Sequence, residues 1–180
     1  MNFFPDKKYK TIVADPPWSY RNKKTGGSMI SGAESKYSSL TLEEISNFPI
    51  YKISDKNCVL FLWVTAPLKY EIASFGLLEK WGFKYKTSIY WRKIMSLGMG
   101  FWYRGQVEEC WLCKKGTIKA FREQKSNFIQ SKAREHSRKP DEFFNLIEPP
   151  ILKFDLNPKI ELFARYKREG WDHWGNEEVL

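Results

Sequence analysis

Cysteine, histidine and long apolar runs are all scarce in this chain of 180 residues. Its 3 cysteines are an odd number, which argues against a disulfide framework. No apolar run approaches the ~20 residues that a membrane helix needs, and residues 1–10 have neither the apolar core nor the cleavage site of a secretory signal. With 42% hydrophobic and 28% charged residues the composition is that of a globular protein. We therefore expect a cytoplasmic protein without a membrane partner.

Cys110 and Cys113 form a single CxxC, which raises the question of a metal site. Both lie in a run, residues 107–113, that reads as a strand, and residues three apart in a strand point to opposite faces. The two thiols could not then bind one ion. Since the sequence has no second CxxC and only 2 histidines to complete a site, we expect no metal.

The sequence predicts one α/β domain. No repeat, linker or low-complexity segment divides residues 1–180. Apolar runs bounded by turn residues predict five strands, at residues 9–14, 58–64, 86–91, 107–113 and 159–164. Capping, periodicity and proline signals predict three helices, at residues 41–47, 67–81 and 140–147, the last of them ended by Pro149 and Pro150. Strands that alternate with helices favour a mainly parallel sheet.

The net charge of +9 comes from one part of the chain. Residues 84–139 hold 14 Lys and Arg against 4 Asp and Glu, whereas the rest of the chain is close to neutral. The same stretch carries many aromatic residues, so it combines cations for phosphates with rings for base stacking. A solvated basic face over an aromatic core explains this composition equally well.

Asp15, Pro16, Pro17 and Trp18 follow the first predicted strand, and ligands of parallel α/β sheets bind beyond the carboxyl ends of the strands. The Asp15 carboxylate can accept one N–H of a planar exocyclic amine, and the Pro16 carbonyl can accept the other. Two acceptors would orient the amine lone pair toward an electrophile, and Trp18 offers a face to a base taken out of its stack. On residue chemistry alone, a strand-end turn with a packing Trp fits these residues at least as well.

Residues 14–18, Ala-Asp-Pro-Pro-Trp, resemble the signature of the adenine-N6 methyltransferases of the MT-A70 family. Further blocks in the family's order extend the resemblance over nearly the whole chain: Tyr37 with residues 41–44, residues 60–65, Glu109 with Cys110, and residues 139–142, 159–165 and 174–176. The ordered set is far more specific than a lone Asp-Pro-Pro-Trp. The chain thus resembles a small family member of bacterial or phage type.

The resemblance implies a Rossmann-like fold with helices on both faces of the sheet, permuted so that the catalytic motif precedes the cofactor motif. It implies S-adenosyl-L-methionine as methyl donor and N6 of a flipped adenine as acceptor, held by the motif from Asp15 to Trp18. The chain departs from the family pattern at Arg168, which replaces a polar residue that contacts the ribose, so we expect that contact to be lost or altered. Five positions match cofactor-binding residues of the family: Lys139, Phe163, Arg165, Asn176 and Glu177.

DNA is the expected substrate. The long basic loop at residues 19–36 is predicted to close over the flipped base, with Arg21, Lys23 and Tyr37 near the substrate. Two alternatives stay open: the same reaction on RNA adenosine, because nothing in the chain separates deoxyribose from ribose, and a non-catalytic nucleic-acid-binding subunit of a methyltransferase complex. The basic region could also form the face of a homodimer, and the sequence leaves the oligomeric state open.

Overall fold

The computed structural model describes residues 4–19, 39–95, 102–134 and 138–175, whose core is a seven-stranded sheet. The strands, in chain order, are β1 (Tyr9–Ala14), β2 (Ser54–Val64), β3 (Lys84–Ile94), β4 (Val107–Lys115), β5 (Phe128–Lys132), β6 (Lys159–Leu162) and β7 (Asp172–Trp174). Their order across the sheet is β5-β3-β4-β2-β1-β6-β7, so β1 lies inside the sheet between β2 and β6.

Six of these strands run in the same direction. β1 pairs in parallel with β2 and β6, β6 with β7, and β3 with β5. β4 alone is antiparallel to its neighbours β2 and β3. The ends of six strands and the start of β4 therefore meet at one border of the sheet, which we name the carboxyl edge. The predicted mainly parallel sheet is confirmed, and its carboxyl edge is where α/β proteins bind ligands.

Helices cover both faces of the sheet. They are, in chain order, α1 (Leu42–Ser46), α2 (Ile50–Ile53), α3 (Lys69–Ser74), α4 (Leu77–Trp81) and α5 (Asp141–Lys153). The apolar run of β2 alternates between two cores: Leu60 and Leu62 face the core under α1 to α4, and Phe61 and Trp63 face the core under α5. This is the predicted α/β layering, and it is consistent with a Rossmann-like fold.

The helix starting at Thr41 is confirmed, and its capping box is the predicted one. Thr41 Oγ1 accepts the backbone N–H of Glu44 at 3.2 Å, and Glu44 Oε2 accepts the backbone N–H of Thr41 at 2.8 Å. The helix predicted over residues 67–81 is wrong as a single element. Gly76 takes a left-handed conformation with φ of 73°, which ends α3 and lets α4 start in a new direction.

The predicted end of the last helix before Pro149 is also wrong, because Pro149 and Pro150 lie inside α5. Proline lacks the N–H that a helix uses, so an isolated helix would stop here. In the folded chain Pro150 and Ile151 are buried against the sheet, and Glu148 accepts a hydrogen bond from Lys159 Nζ at 2.6 Å. Tertiary contacts therefore continue the helix past two prolines.

Two further outcomes concern the strands. β5 and β7, which the sequence does not predict, are the two edge strands, and pairing with β3 and β6 stabilises them where an apolar pattern is weak.

Cys110 and Cys113 lie in β4 and occupy opposite cores, as predicted, and burial raises the pKa of both thiols. The described residues contain no cluster of potential metal ligands. None of the described helices has the length and apolar character that a membrane crossing needs.

Candidate active site at the carboxyl edge

The segment that follows β1 is fixed by backbone hydrogen bonds. The Pro16 carbonyl accepts the Trp18 N–H at 2.8 Å, and the Pro17 carbonyl accepts the Leu40 N–H at 2.8 Å. Trp18 and Leu40 thereby form a short parallel bridge. Since the pyrrolidine rings also restrict φ, both proline carbonyls keep set directions at the carboxyl edge, next in sequence to Asp15.

Trp18 is buried in the core under α1 to α4. Its indole Nε1 donates a hydrogen bond to the Trp63 carbonyl at 3.1 Å, which ties this segment to the end of β2. In this arrangement the ring packs within the protein, and a contact between Trp18 and a flipped base stays a prediction.

Four side chains of alternating charge form a row along the carboxyl edge: Asp15, Lys139, Glu108 and Lys93. Lys139 Nζ lies 2.8 Å from Asp15 Oδ2 and 3.2 Å from Glu108 Oε2, and Lys93 pairs with the other oxygen of Glu108. The ammonium of Lys139 sits 5.0 Å from the centre of the Trp63 ring. Lys139, just before α5, therefore reaches across β2 and joins the end of β1 to the start of β4.

The charges in this row support one another. Burial alone would lower the pKa of Lys139, but the carboxylates of Asp15 and Glu108 raise it above the ordinary value. Burial likewise opposes ionisation of Glu108, yet the charges of Lys139 and Lys93 hold its pKa below the ordinary value. The buried lysine stays charged and holds one oxygen of Asp15 in place.

A cavity beside this row brings charges of both signs together. Its charged lining comes from β6, from the residues just before α5 and from the segments that follow β1 and β6: Asp15, Arg138, Lys139, Glu161, Arg165 and Arg168. Its aromatic lining consists of Phe144, Phe163 and Tyr166. Cations outnumber carboxylates in this lining, so the cavity favours an anionic group. The carboxylates of Asp15 and Glu161 remain as acceptors for a cationic group.

Glu161 is the carboxylate of this cavity that belongs to β6, where its register neighbours are Val13 of β1 and His173 of β7. Burial is the main cause that raises the pKa of Glu161 to about 7; the charge of Arg168 opposes the rise and that of Asp15 adds to it. A carboxyl group that exchanges its proton near neutral pH therefore lies in the same cavity as Asp15.

Arg168 forms part of the cavity wall. Its Nη2 donates to Asp141 Oδ1 at 3.2 Å, and its guanidinium carbon lies 3.5 Å from the centre of the Phe144 ring. Asp141 also pairs with Arg134 and Arg138. Arg168 thus links the start of α5 to the segment after β6. In the family pattern, the residue at position 168 is a polar one that contacts the ribose.

Phe163 directly follows β6 and adopts φ of 58°, a left-handed conformation that bulky residues rarely take. Its ring packs edge-on against Phe48 at 5.2 Å and Trp174 at 5.7 Å. Gly175 lies against the backbone of Ala164, the residue after Phe163. A side chain at position 175 would place its Cβ only 2.6 Å from the Ala164 carbonyl oxygen. Packing therefore maintains a strained turn at the cavity, as is typical of ligand sites.

The structure brings part of the predicted site together. Four predicted residues line the cavity: Asp15, Lys139, Phe163 and Arg165. Three others shape the segment that follows Asp15: Pro16, Pro17 and Trp18. Five lie outside the described residues: Arg21, Lys23, Tyr37, Asn176 and Glu177. The role of each of the twelve in binding or catalysis stays a prediction.

Sequence reasoning misses Glu108, Glu161 and Arg138. Glu161 has a signal, because a carboxylate between two buried apolar residues of a strand, Ile160 and Leu162, needs a reason to be there. Glu108 has none, since its place depends on β4 running antiparallel, which brings the start of that strand to the carboxyl edge. Arg138 adjoins Lys139 in sequence and could have been found with it.

The cavity suits the methyl donor that the family resemblance implies. An amino acid carries a carboxylate and an ammonium, and this cavity offers cations for the first and carboxylates for the second. Two of its guanidinium nitrogens, Nε of Arg138 and Nε of Arg168, are buried without a hydrogen-bond partner. Buried donors of this kind are typical of a site that a ligand completes.

Comparison with known proteins places these residues in a family. A model of the MT-A70 family matches residues 9–177. The Type II methyltransferase M.MunI of Mycoplasma sp is 35% identical over 96% of this chain and 79% of its own length. The N(6)-adenosine-methyltransferase catalytic subunit METTL3 of Homo sapiens is 30% identical over 94% of this chain but 28% of its own length. The N(6)-adenosine-methyltransferase MT-A70-like protein of Arabidopsis thaliana is 29% identical over 94% of this chain and 24% of its own length.

Proposed function

Since this chain belongs to the MT-A70 family of adenine-N6 methyltransferases, which depend on S-adenosyl-L-methionine, we propose that it methylates N6 of adenine in DNA. The observation that carries the proposal is the held carboxylate of Asp15. It is paired with the buried Lys139 and is followed by a proline carbonyl of set direction, which together make a receptor for a planar amine.

The two acceptors act on the target amine. Asp15 Oδ2 is engaged by Lys139, so Oδ1 accepts one N–H of the adenine amine. The Pro16 carbonyl accepts the second N–H, because a carbonyl has two lone pairs and the Trp18 N–H uses only one. Holding both N–H groups points the nitrogen lone pair at the incoming methyl carbon, and such alignment supplies much of the rate enhancement of a two-substrate reaction.

When bound, S-adenosyl-L-methionine would supply the methyl group and leave as S-adenosylhomocysteine, whose sulfur keeps the electron pair of the broken C–S bond. Lys139 and Arg165 would hold its carboxylate, and Phe163 would contact its adenine. As N6 gains the methyl group it also gains a positive charge, and the two acceptors stabilise that charge as it develops. The methylated nitrogen is then acidic, so Asp15 Oδ1 accepts its proton and passes it to water. No stronger base is required.

DNA is proposed as substrate because of how the relatives align. The chain covers 79% of the bacterial Type II methyltransferase M.MunI, so the two are similar over most of both chains. It covers only 28% of METTL3. The adenosine methyltransferases among the relatives make RNA the second candidate.

The test is transfer of labelled methyl from S-adenosyl-L-methionine to duplex DNA, single-stranded DNA and RNA of one sequence, followed by mass analysis of the nucleosides. Asp15→Asn keeps the shape of the side chain but removes its charge, and should lower turnover at least a hundredfold. Asp155→Asn is the matched control, since Asp155 is exposed and pairs with Lys10 at the opposite end of β1.

N6-methyladenine in DNA that is lost in Asp15→Asn and retained in Asp155→Asn supports the proposal. Label found in RNA alone makes RNA the substrate. If the cofactor binds but no nucleic acid is methylated, the chain is a binding subunit and the proposed activity is wrong.

A further inference from the structure

The two faces of the sheet differ where β3, β4 and β5 adjoin. On the face under α5, Trp91 and Ile89 are buried and Trp91 Nε1 donates to Ser131 Oγ at 2.8 Å. On the opposite face, the side chains of β3 and β5 toward the carboxyl edge are exposed, among them Arg92, Ile94 and Lys132. There Phe128 is 41% exposed and Val107 is 48% exposed, although both lie in strands.

The register defines this open face. Tyr90 is the partner of Phe128, Arg92 of Gln130 and Ile94 of Lys132, so the paired side chains share one face. Arg92 Nη1 donates to Gln130 Oε1 at 3.3 Å, which agrees with that assignment. We name the set Tyr90, Arg92, Ile94, Phe128, Gln130 and Lys132 the open strand face.

Residues 102–104 lie close to this face, since the nearby Gln106 carbonyl accepts the backbone N–H of Lys93 in β3 at 2.7 Å. Trp102 is 93% exposed and Tyr103 is 90% exposed, and Arg104 is exposed beside them. Contiguous exposed aromatic surface of this kind is typical of an interaction site.

The charge on this surface is mainly positive. Its described cations are Arg92, Lys132 and Arg104, and among the described residues of β3, β4 and β5 on this face the one carboxylate is Glu109. Glu109 lies at the inner border and is already matched by Lys69 Nζ at 2.7 Å. The surface thus presents cations and aromatic rings to a partner that must be anionic and able to stack.

We propose that the open strand face, with Trp102, Tyr103 and Arg104, binds the single-stranded stretch of nucleic acid that flanks the target adenine. Arg92 and Lys132 contact phosphates, and Phe128 and Trp102 stack on bases, as aromatic rings on a sheet surface do. The inference rests on the proposed function and identifies the surface that holds the nucleic acid next to the target adenine. β3 lies three strand spacings from β1, a lateral distance of ~14 Å, so nucleotides a few positions from the target reach this face by passing around the carboxyl edge.

A second copy of the chain is the competing occupant, and the charge argues against it. Two copies of this face in contact would place Arg92 and Lys132 of each opposite cations of the other. A nucleic acid neutralises the same residues.

The experiment measures the affinity of a fluorescent single-stranded oligonucleotide by anisotropy over a salt series. The double variant Arg92→Ala with Lys132→Ala should weaken binding roughly tenfold and reduce the slope of log affinity against log salt by about 1.4, two phosphate contacts at ~0.7 each. Lys84→Ala with Lys119→Ala is the control, because it removes the same charge from two exposed residues, one at the start of β3 and one after the end of β4.

Two single variants test stacking. Phe128→Ala and Trp102→Ala should each weaken binding about fivefold to a hundredfold without changing the salt slope. Tyr51→Ala, an exposed aromatic residue on α2, should have no effect. Retained thermal stabilisation by S-adenosyl-L-methionine shows that each variant is folded.

The proposal is overturned if the control pair weakens binding as much as Arg92→Ala with Lys132→Ala, or if the latter leaves the salt slope unchanged. It is also overturned if the wild type is a dimer that the Phe128 and Trp102 variants dissociate. These results leave the proposed function standing as long as the wild type methylates DNA. A wild type that methylates neither DNA nor RNA overturns the proposed function itself.

Discussion

Glu161 makes the stability of the folded chain depend on pH. Burial raises its pKa from 4.5 to about 7, so the folded state keeps a proton that the unfolded state releases. Stability therefore falls as pH rises from about 4.5 to about 7 and then levels off, and the loss is roughly 3 kcal/mol. Glu161→Gln removes this loss, so the variant should match the wild type near pH 5 and exceed its stability by about 2–3 kcal/mol near pH 8.

Urea unfolding at the two pH values measures this difference. Glu169→Gln, which changes an exposed carboxylate in the segment after β6, should show no such divergence. Equal stability of Glu161→Gln and wild type near pH 8 would show that Glu161 is ionised without cost and contradict the prediction.

Glu108 offers a second test at this scale, because its sequence neighbour is a natural control. Glu108 pairs with Lys139 and Lys93 beside Asp15, whereas Glu109 pairs with Lys69 on the other face of β4. Each change to Gln removes a charged hydrogen bond and should cost roughly 1.5–3 kcal/mol of stability. Only Glu108→Gln should also slow methyl transfer, about tenfold, since it frees Lys139 to move relative to Asp15.

Urea unfolding and single-turnover transfer measure the two effects separately. If Glu109→Gln slows transfer equally, loss of stability explains both variants, and Glu108 does not position the site.

The charged residues of the site were predictable where they stand in a motif and unpredictable where they depend on neighbours. Asp15 follows a clear strand, and Lys139 and Arg165 fall in blocks shared with a family. Glu108 reaches Lys139 only because β4 is antiparallel and lies two strands from β1, and sequence order does not reveal which strands adjoin. A side chain whose role depends on sheet order must be found in the structure.

At the scale of elements, α5 shows tertiary contacts overriding local preference. Pro149 is exposed and Pro150 is buried, and both lie within the helix. Pro149→Ala restores a backbone hydrogen bond and relieves a clash, offset by greater freedom of the unfolded chain, so we expect a gain of about 1–2 kcal/mol. Pro150→Ala should gain less, because it also removes a buried ring.

Thermal and urea unfolding of the two variants test this reading. A Pro149→Ala chain less stable than the wild type would mean that the proline is needed to direct the end of α5.

The strong strands β1, β2 and β4 and the capped helix α1 were predictable because their signals are local: a continuous apolar run or a capping box. The break at Gly76 was not, since a single glycine within a periodic pattern is tolerated in many helices. β5 and β7 form because their neighbours offer open backbone edges. Elements at the border of a fold thus carry the least information in their own sequence.

At the scale of the whole molecule, the cavity joins parts of the chain that are far apart in sequence. Asp15 follows β1, Lys139 precedes α5 and Arg165 follows β6. A ligand that contacts all three binds only the folded state, and so it stabilises the fold by mass action. At a hundred times its dissociation constant, S-adenosyl-L-methionine should add about 2.7 kcal/mol and raise the melting temperature by ~5–11 °C.

Thermal melting with the whole cofactor and with its separate halves shows whether one ligand spans the cavity. Methionine alone reaches the charged lining, adenosine alone reaches Phe163, and each should shift the melting temperature by less than half as much, since neither bridges all three segments. Asp155→Asn, remote from the cavity, should keep the full shift. If adenosine alone reproduces it, the charged lining contributes nothing to cofactor binding, and Asp15 and Lys139 serve the target amine alone.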